Sequence, residues 1–118
     1  MGFTVRLHDA FAAEFAQLPE AVQDELLALM ALLAEFGPRL GRPHADTLRG
    51  SQHANLKELR FRAAGGVWRA TYAFDSRRQA ILPAAGDKSG TSQKRFYRQL
   101  ITRSDARYDD HVAELQSE

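Results

Sequence analysis

Three features of the sequence predict an α+β domain. Short apolar–polar alternations occur at residues 3–7 and again between 57 and 86, apolar residues recur at helical spacing from 11 to 36, and a second helical pattern follows Ser92. The expected architecture is an N-terminal strand and two helices packed on a twisted antiparallel sheet, with a C-terminal helix closing the fold.

Phe3, Val5 and Leu7 alternate with Thr4 and Arg6, the period of a half-buried strand. From Asp9, a candidate N-cap, Phe11, Phe15 and Leu18 keep helical spacing, and Pro19 suits the first turn of a second helix. Along that helix Val22, Leu26, Leu29, Leu33 and Phe36 form one stripe, widened by Leu27, Met30 and Leu32, which stops at Gly37-Pro38. Residues 37–55 hold three of the eight Gly and two of the four Pro, so they read as a connecting loop rather than a domain linker. LKELRFR, GVWRATYAF and QAILPAAG follow as three strands of a meander, separated by Ala-Gly-Gly and Asp-Ser-Arg-Arg turn chemistry. After Ser92, Tyr97, Ile101, Ser104, Tyr108, Val112 and Leu115 share a helical face, with Leu100 beside them. Residues 1–118 are therefore expected to form one domain, with 91–118 as its C-terminal helix.

With 44% hydrophobic residues and 26% charged ones, the chain has enough apolar surface for a core and suits a soluble globular domain. No apolar run approaches the roughly 20 residues of a membrane span, the first ten residues lack the order of a secretion signal, and there is no cysteine for a disulfide or a thiolate metal site. A cytoplasmic protein is expected. The net charge of +1 conceals an asymmetry: residues 1–36 carry one Arg against six acids, whereas residues 57–103 carry eleven Lys or Arg against three. Gathered on one face, such a block suits a polyanion such as nucleic acid; spread out, it is a solvated surface.

Alternation sends Glu58, Arg60 and Arg62 to one face of their strand and Lys57, Leu59 and Phe61 to the other, and the apolar pair marks the core side. In the next strand Arg69 shares a face with Val67, Thr71 and Ala73, opposite Trp68, Ala70, Tyr72 and Phe74, so it can join Arg60. Cross-strand ion pairs of Glu58 with either arginine are the structural alternative to a site. Lys88 lies between Gly86 and Gly90, where backbone N–H groups could approach a phosphate, although neither a P-loop nor a dinucleotide fingerprint is present and no cofactor is expected. His8, His44, His53 and His111 have no metal-binding spacing, so no metal is assigned; His44 and His53, in the loop before the basic strands, are candidates for acid–base work. No G-x-S-x-G elbow supports a hydrolase triad.

Leu48-Arg49-Gly50, the Glu58-Leu59-Arg60 strand, the ladder Gly66-Val67-Trp68-Arg69-Ala70-Thr71-Tyr72 and the small-residue strand ending Gly86-Asp87-Lys88 resemble the RelE/ParE superfamily of bacterial toxins, especially its HigB-like branch, over about residues 3–90. The resemblance implies a RelE-like fold and a cytoplasmic toxin of a type II toxin–antitoxin system. Its implied activity is that of an mRNA endoribonuclease working without metal, usually on the ribosome, silenced by a cognate antitoxin that is often of helix-turn-helix type. By position it maps catalytic roles to Arg60, Arg69 and Lys88. Glu58 stands where RelE has a basic residue and is the nearest candidate base, with His53 or His44 as substitutes; the late tyrosine of RelE would fall near Lys94. His53, Lys57, Arg62, Lys94, Arg95 and Arg98 are the expected RNA contacts. Two alternatives share the sequence features: a ParE-like, non-catalytic poison of DNA gyrase, and a basic interaction domain without enzymatic activity.

Overall fold

The computed structural model describes residues 2–118 and has an α+β architecture. Strand β1 (Thr4–Leu7) leads into helices α1 (Asp9–Phe15) and α2 (Glu20–Phe36), followed by a 3₁₀ turn (Gly37–Arg39). Strands β2 (Ala45–Thr47), β3 (Lys57–Ala63), β4 (Gly66–Phe74), β5 (Gln79–Leu82) and β6 (Ala85–Asp87) come next, and helix α3 (Gln93–Gln116) ends the chain order. The sheet runs β1-β5-β4-β3-β2, with β6 beside β4. It is antiparallel except at one edge, where β1 lies parallel to β5 with Thr4 opposite Gln79.

Helices cover both faces, so the alternation along each strand sorts residues between two cores. Phe11 of α1 and Val22, Leu26, Leu29 and Leu33 of α2 pack on Leu59, Ala70, Tyr72, Ala80 and Leu82. On the other face, Leu48, Leu56, Ala73 and Ile81 meet Tyr108 of α3, while Leu100 and Phe96 cover Ala84. Phe96 also fits against Gly86, where an added Cβ would lie 3.0 Å from the ring and would require the ring to shift. The β3–β4 turn is two residues, Ala64 and Gly65, both at positive φ, the geometry that matches the twist of a hairpin.

Several local expectations are corrected. His8, not Asp9, caps α1, its Nδ1 accepting the Ala10 N–H at 3.1 Å. Pro19 occupies the cap position of α2 rather than its first turn. The loop of residues 37–55 contains β2, whose three residues pair with β3. QAILPAAG is broken at Pro83-Ala84 into β5 and β6, and Thr71 uses both its N–H and its hydroxyl to bond the Ala84 carbonyl, at 2.9 and 3.2 Å. Trp68 is only half-buried, stacked on Phe61 at 6.2 Å. Tyr72 is the buried aromatic of β4, at 1% exposure, and burial pushes its phenol up to about 12.

Polar contacts fasten α3. Ser104 bonds Thr71 at 2.8 Å in the buried layer, His111 bonds Asp75 at 2.8 Å, and Asn55 donates to the Tyr108 hydroxyl at 3.3 Å. Arg107 clasps Glu14 of α1 with two bonds, of 2.7 and 2.8 Å, and donates to the Pro83 carbonyl at 3.0 Å. Burial of Asp75 would raise its pKa, but the bonds from His111, Gln79 and Arg77 outweigh it and hold the group below its ordinary 3.8.

Two outcomes are expected from denaturant melts. Tyr72→Ala should cost about 3–5 kcal/mol, and Trp68→Ala less because its side chain is only partly buried; equal losses would mean that Trp68 anchors β4 as firmly as Tyr72. Because Asp75 is more acidic when folded, its contribution is fully present above the unfolded value near 3.8 and disappears as pH falls below it. Asp75→Asn should therefore lower stability at neutral pH and flatten the loss in acid, and an unchanged acid slope would contradict that role.

Candidate active site

Because α3 starts over β6 and crosses toward the β4–β5 turn, it covers only part of its face of the sheet. On the open part, β3 presents Glu58, Arg60 and Arg62, and β4 presents Arg69, as alternation predicts. The register places Arg60 directly opposite Arg69, and Glu58 opposite Thr71 on one side and Asp46 of β2 on the other. Facing guanidiniums repel, so this rung requires a counter-charge.

Glu58 supplies it. Its side chain is 3% exposed, against 11% for Arg69 and 39% for Arg60. Oε2 accepts from Arg60 Nε and Nη2, both at 3.0 Å, and Oε1 accepts from the Tyr97 hydroxyl at 2.8 Å, with Arg69 Nε at 3.9 Å. Arg69 donates from Nε to the Tyr97 oxygen at 3.2 Å and from Nη1 to the Trp68 carbonyl at 2.9 Å. The result is a chain Arg69→Tyr97→Glu58←Arg60 across two strands and a helix. The bond to Glu58 raises Arg60 above its ordinary value. Burial, reinforced by Glu58, raises the Tyr97 phenol, which stays a proton donor at neutral pH. Lys88, just past β6, is lowered by burial and by the Arg69 charge, which makes it a stronger acid than an ordinary lysine.

Glu58, Arg60, Arg69 and Lys88 thus form one cluster, with Arg62 exposed at its margin and Lys94 at the mouth on the first turn of α3. Arg95 and Arg98 are exposed on α3. Two expected contacts lie elsewhere. His53 bonds Asp109 at 2.7 Å with its ring edge on Tyr108, a tether for α3, and Lys57 faces the α2 side, as alternation requires. In the turn at Lys88 two N–H groups are already engaged: Lys88 N–H bonds the Val67 carbonyl at 2.8 Å, and Ser89 N–H bonds Asp87 Oδ1 at 2.9 Å. Tyr97, expected only on the core face of its helix, is a missed member. The signal for it is a phenol placed among Lys94, Arg95 and Arg98 at a helix start.

Beside Arg60 opens a cleft of about 670 Å³, the size of a small-ligand site. Asp46 and Thr47 of β2 and the following Arg49 form one wall, Gln93, Lys94 and Tyr97 of α3 the other, and Glu58 and Arg60 lie at its edge.

The strand order and the flanking helices put the chain in the class of RelE-type folds. The structure of a double-arginine mutant of E. coli toxin RelE in the free state superposes with a TM-score of 0.60 over 86% of this chain and 96% of that one, at 14% identity, which shows the shared fold. Residues 13–109 match the family described as Phage derived protein Gp49-like (DUF891). HigB2 of Mycobacterium tuberculosis (strain ATCC 25618 / H37Rv), named as a toxin, is 41% identical over 92 residues, 77% of this chain and 45% of its own length. HigB3 of the same strain, also named as a toxin, is 45% identical over 82 residues, 70% of this chain and 69% of its own length. The chain belongs to the Gp49-like family of HigB-type toxins, and it spans under half the length of HigB2.

Titrating the tyrosines by ultraviolet absorbance tests the network. Tyr97 should ionise above an ordinary tyrosine, and Glu58→Gln should bring it only part of the way back, because burial is the larger cause and the carboxylate the smaller. A full return to the ordinary value on that substitution would assign the shift to Glu58 alone.

Proposed function

We propose that the chain is the toxin of a type II toxin–antitoxin system and acts in the cytoplasm as an endoribonuclease on mRNA, on the ribosome, to stop translation. Its partner is an antitoxin, of helix-turn-helix type by the HigB resemblance. The observation that supports catalysis is the Arg60–Arg69 rung, organised by a buried carboxylate, with Arg60 39% exposed and Arg69 behind it at 11%.

Cleavage by transfer to the 2′-oxygen needs that oxygen deprotonated, the phosphorane charge stabilised and the 5′-oxygen protonated. Arg60 and Arg69 serve the charge, since fixed donors act on it without reorganising in the transition state. With its side chain 3% exposed, Glu58 reaches the substrate through Tyr97: the phenol oxygen takes the 2′-proton as its own proton passes along the 2.8 Å bond to Glu58. Lys88, whose acidity is raised by burial and Arg69, gives its proton to the departing 5′-oxygen. The bond from the 2′-oxygen to phosphorus forms as the bond to the 5′-oxygen breaks, leaving a cyclic phosphate. Arg62, Lys94, Arg95 and Arg98 hold the strand by its phosphates.

Brief induction followed by mapping of transcript 5′ ends is the direct test. Arg69→Ala should lower cleavage by on the order of 10²-fold or more while the purified variant still melts cooperatively, about 1–2 kcal/mol less stable for its lost bonds. Growth arrest with intact messages and accumulating DNA breaks would point instead to gyrase poisoning, and wild-type cutting by the variant would make Arg69 an ion-pair partner only.

A further inference from the structure

The cleft beside the cluster is lined by Arg42, Arg49, Arg60 and Lys94, which suit phosphate, and by one carboxylate besides Glu58. That carboxylate is Asp46, on the β2 wall, a group that a phosphate would not contact directly. Asp46 faces the same side of the sheet as Glu58, its register partner, and Arg60 Nη2 lies 3.7 Å from its Oδ2. The group is anchored from its own strand and loop: Oδ1 accepts the Thr47 N–H at 2.8 Å, and Oδ2 accepts Arg42 Nε at 3.0 Å, with Arg42 Nη2 at 2.9 Å. Together these fix the side chain's direction. The Thr47 N–H, with Arg42, also keeps Asp46 below its ordinary value, so at neutral pH it only accepts hydrogen bonds.

An ionised carboxylate has about four lone-pair sites. Arg42 takes up Oδ2, whereas Oδ1, bonded only to the Thr47 N–H, keeps acceptor capacity on a side chain that is 22% exposed. We infer that Asp46 reads a nucleobase lodged in this cleft next to the scissile phosphate, accepting from an exocyclic amino group and so favouring adenine, cytosine or guanine over uracil. Uracil offers the same acceptor only a ring N–H flanked by two carbonyl oxygens, which a carboxylate repels, whereas an amino group presents donors without that penalty. Arg42 holds the carboxylate's aim, and Thr47 and Gln93 offer further polar edges on the two walls. The site is a single-strand reader: the base must leave its stack to enter, as bases do where proteins read RNA by their edges.

The inference rests on the nuclease reading for its place in cleavage, but base binding can be measured without it. The purified full chain is titrated with the four ribonucleoside 3′-monophosphates while amide resonances of residues 45–48 and 93–97 are followed. The expected result is binding of the adenine, cytosine and guanine nucleotides about 10-fold or more tighter than the uridine one, with Asp46→Asn erasing most of the difference because an amide both accepts and donates. The same substitution should redistribute the cut sites mapped in cells toward uridine. Equal affinities for all four nucleotides, or an unchanged order in Asp46→Asn with an unchanged melt, would overturn the inference. If messages are cut at the same bases by both proteins, the base-reading role falls and the nuclease reading stands. If nothing is cut but the nucleotide preference appears and depends on Asp46, the base site stands and the nuclease reading falls.

Discussion

Two guanidinium groups on one rung of an antiparallel ladder repel, and the open face of this sheet depends on the buried carboxylate that lets them stay. Arg60 and Arg69 are register partners, Glu58 is one alternation step from Arg60, and its oxygens are within 3.9 Å of both arginines. Removing a carboxylate from such a place leaves charges uncompensated, which is why a buried pair is costly to break even where its net stabilisation is modest. In this fold the pair serves geometry. Glu58 aims Arg60, receives the Tyr97 hydroxyl, and through it fixes Arg69, so one side chain sets the positions of three others.

Tyr97 makes the site a joint product of sheet and helix. Helix α3 packs Phe96, Leu100 and Tyr108 on the sheet and is also fastened by Ser104 to Thr71, His111 to Asp75, His53 to Asp109 and Arg107 to Glu14. These bonds lie between residues 104 and 111 and help set its crossing of the sheet, which leaves Arg62 exposed and Arg60 partly so while Tyr97 lies over Glu58 and Arg69. Of the two histidines that looked available for acid–base chemistry, His44 and His53, the second is part of this fastening, as is His111.

Much of this was legible beforehand because strand periodicity is strict. Alternation alone assigns Glu58, Arg60, Arg62 and Arg69 to one face and Leu59, Phe61 and Tyr72 to the other, and the Ala-Gly-Gly turn sets the pairing that brings Arg60 opposite Arg69. What periodicity does not carry is pairing between distant segments. The parallel contact of β1 with β5 is such a pairing, and so is β2, three residues long and stabilised only by its neighbour β3. Tyr97 was hidden for a related reason: a tyrosine on a helix's inner face has an apolar ring and a polar tip, and only the position of Glu58 on another element reveals what the tip meets. Asp46 left a fainter trace, as the single acid among three arginines in residues 37–56.

The central claim is that Glu58 and Arg69 act as one unit in catalysis, and a double-mutant cycle on the cleavage rate addresses it most directly. Glu58→Gln, Arg69→Ala and the double variant are compared with the wild-type protein on one ribosome-programmed message, with melts to confirm that each is folded. The result expected is strong non-additivity, the double variant cutting about as slowly as the slower single variant, because either substitution dismantles the same network. Rate losses that simply multiply would show two independent groups and contradict it.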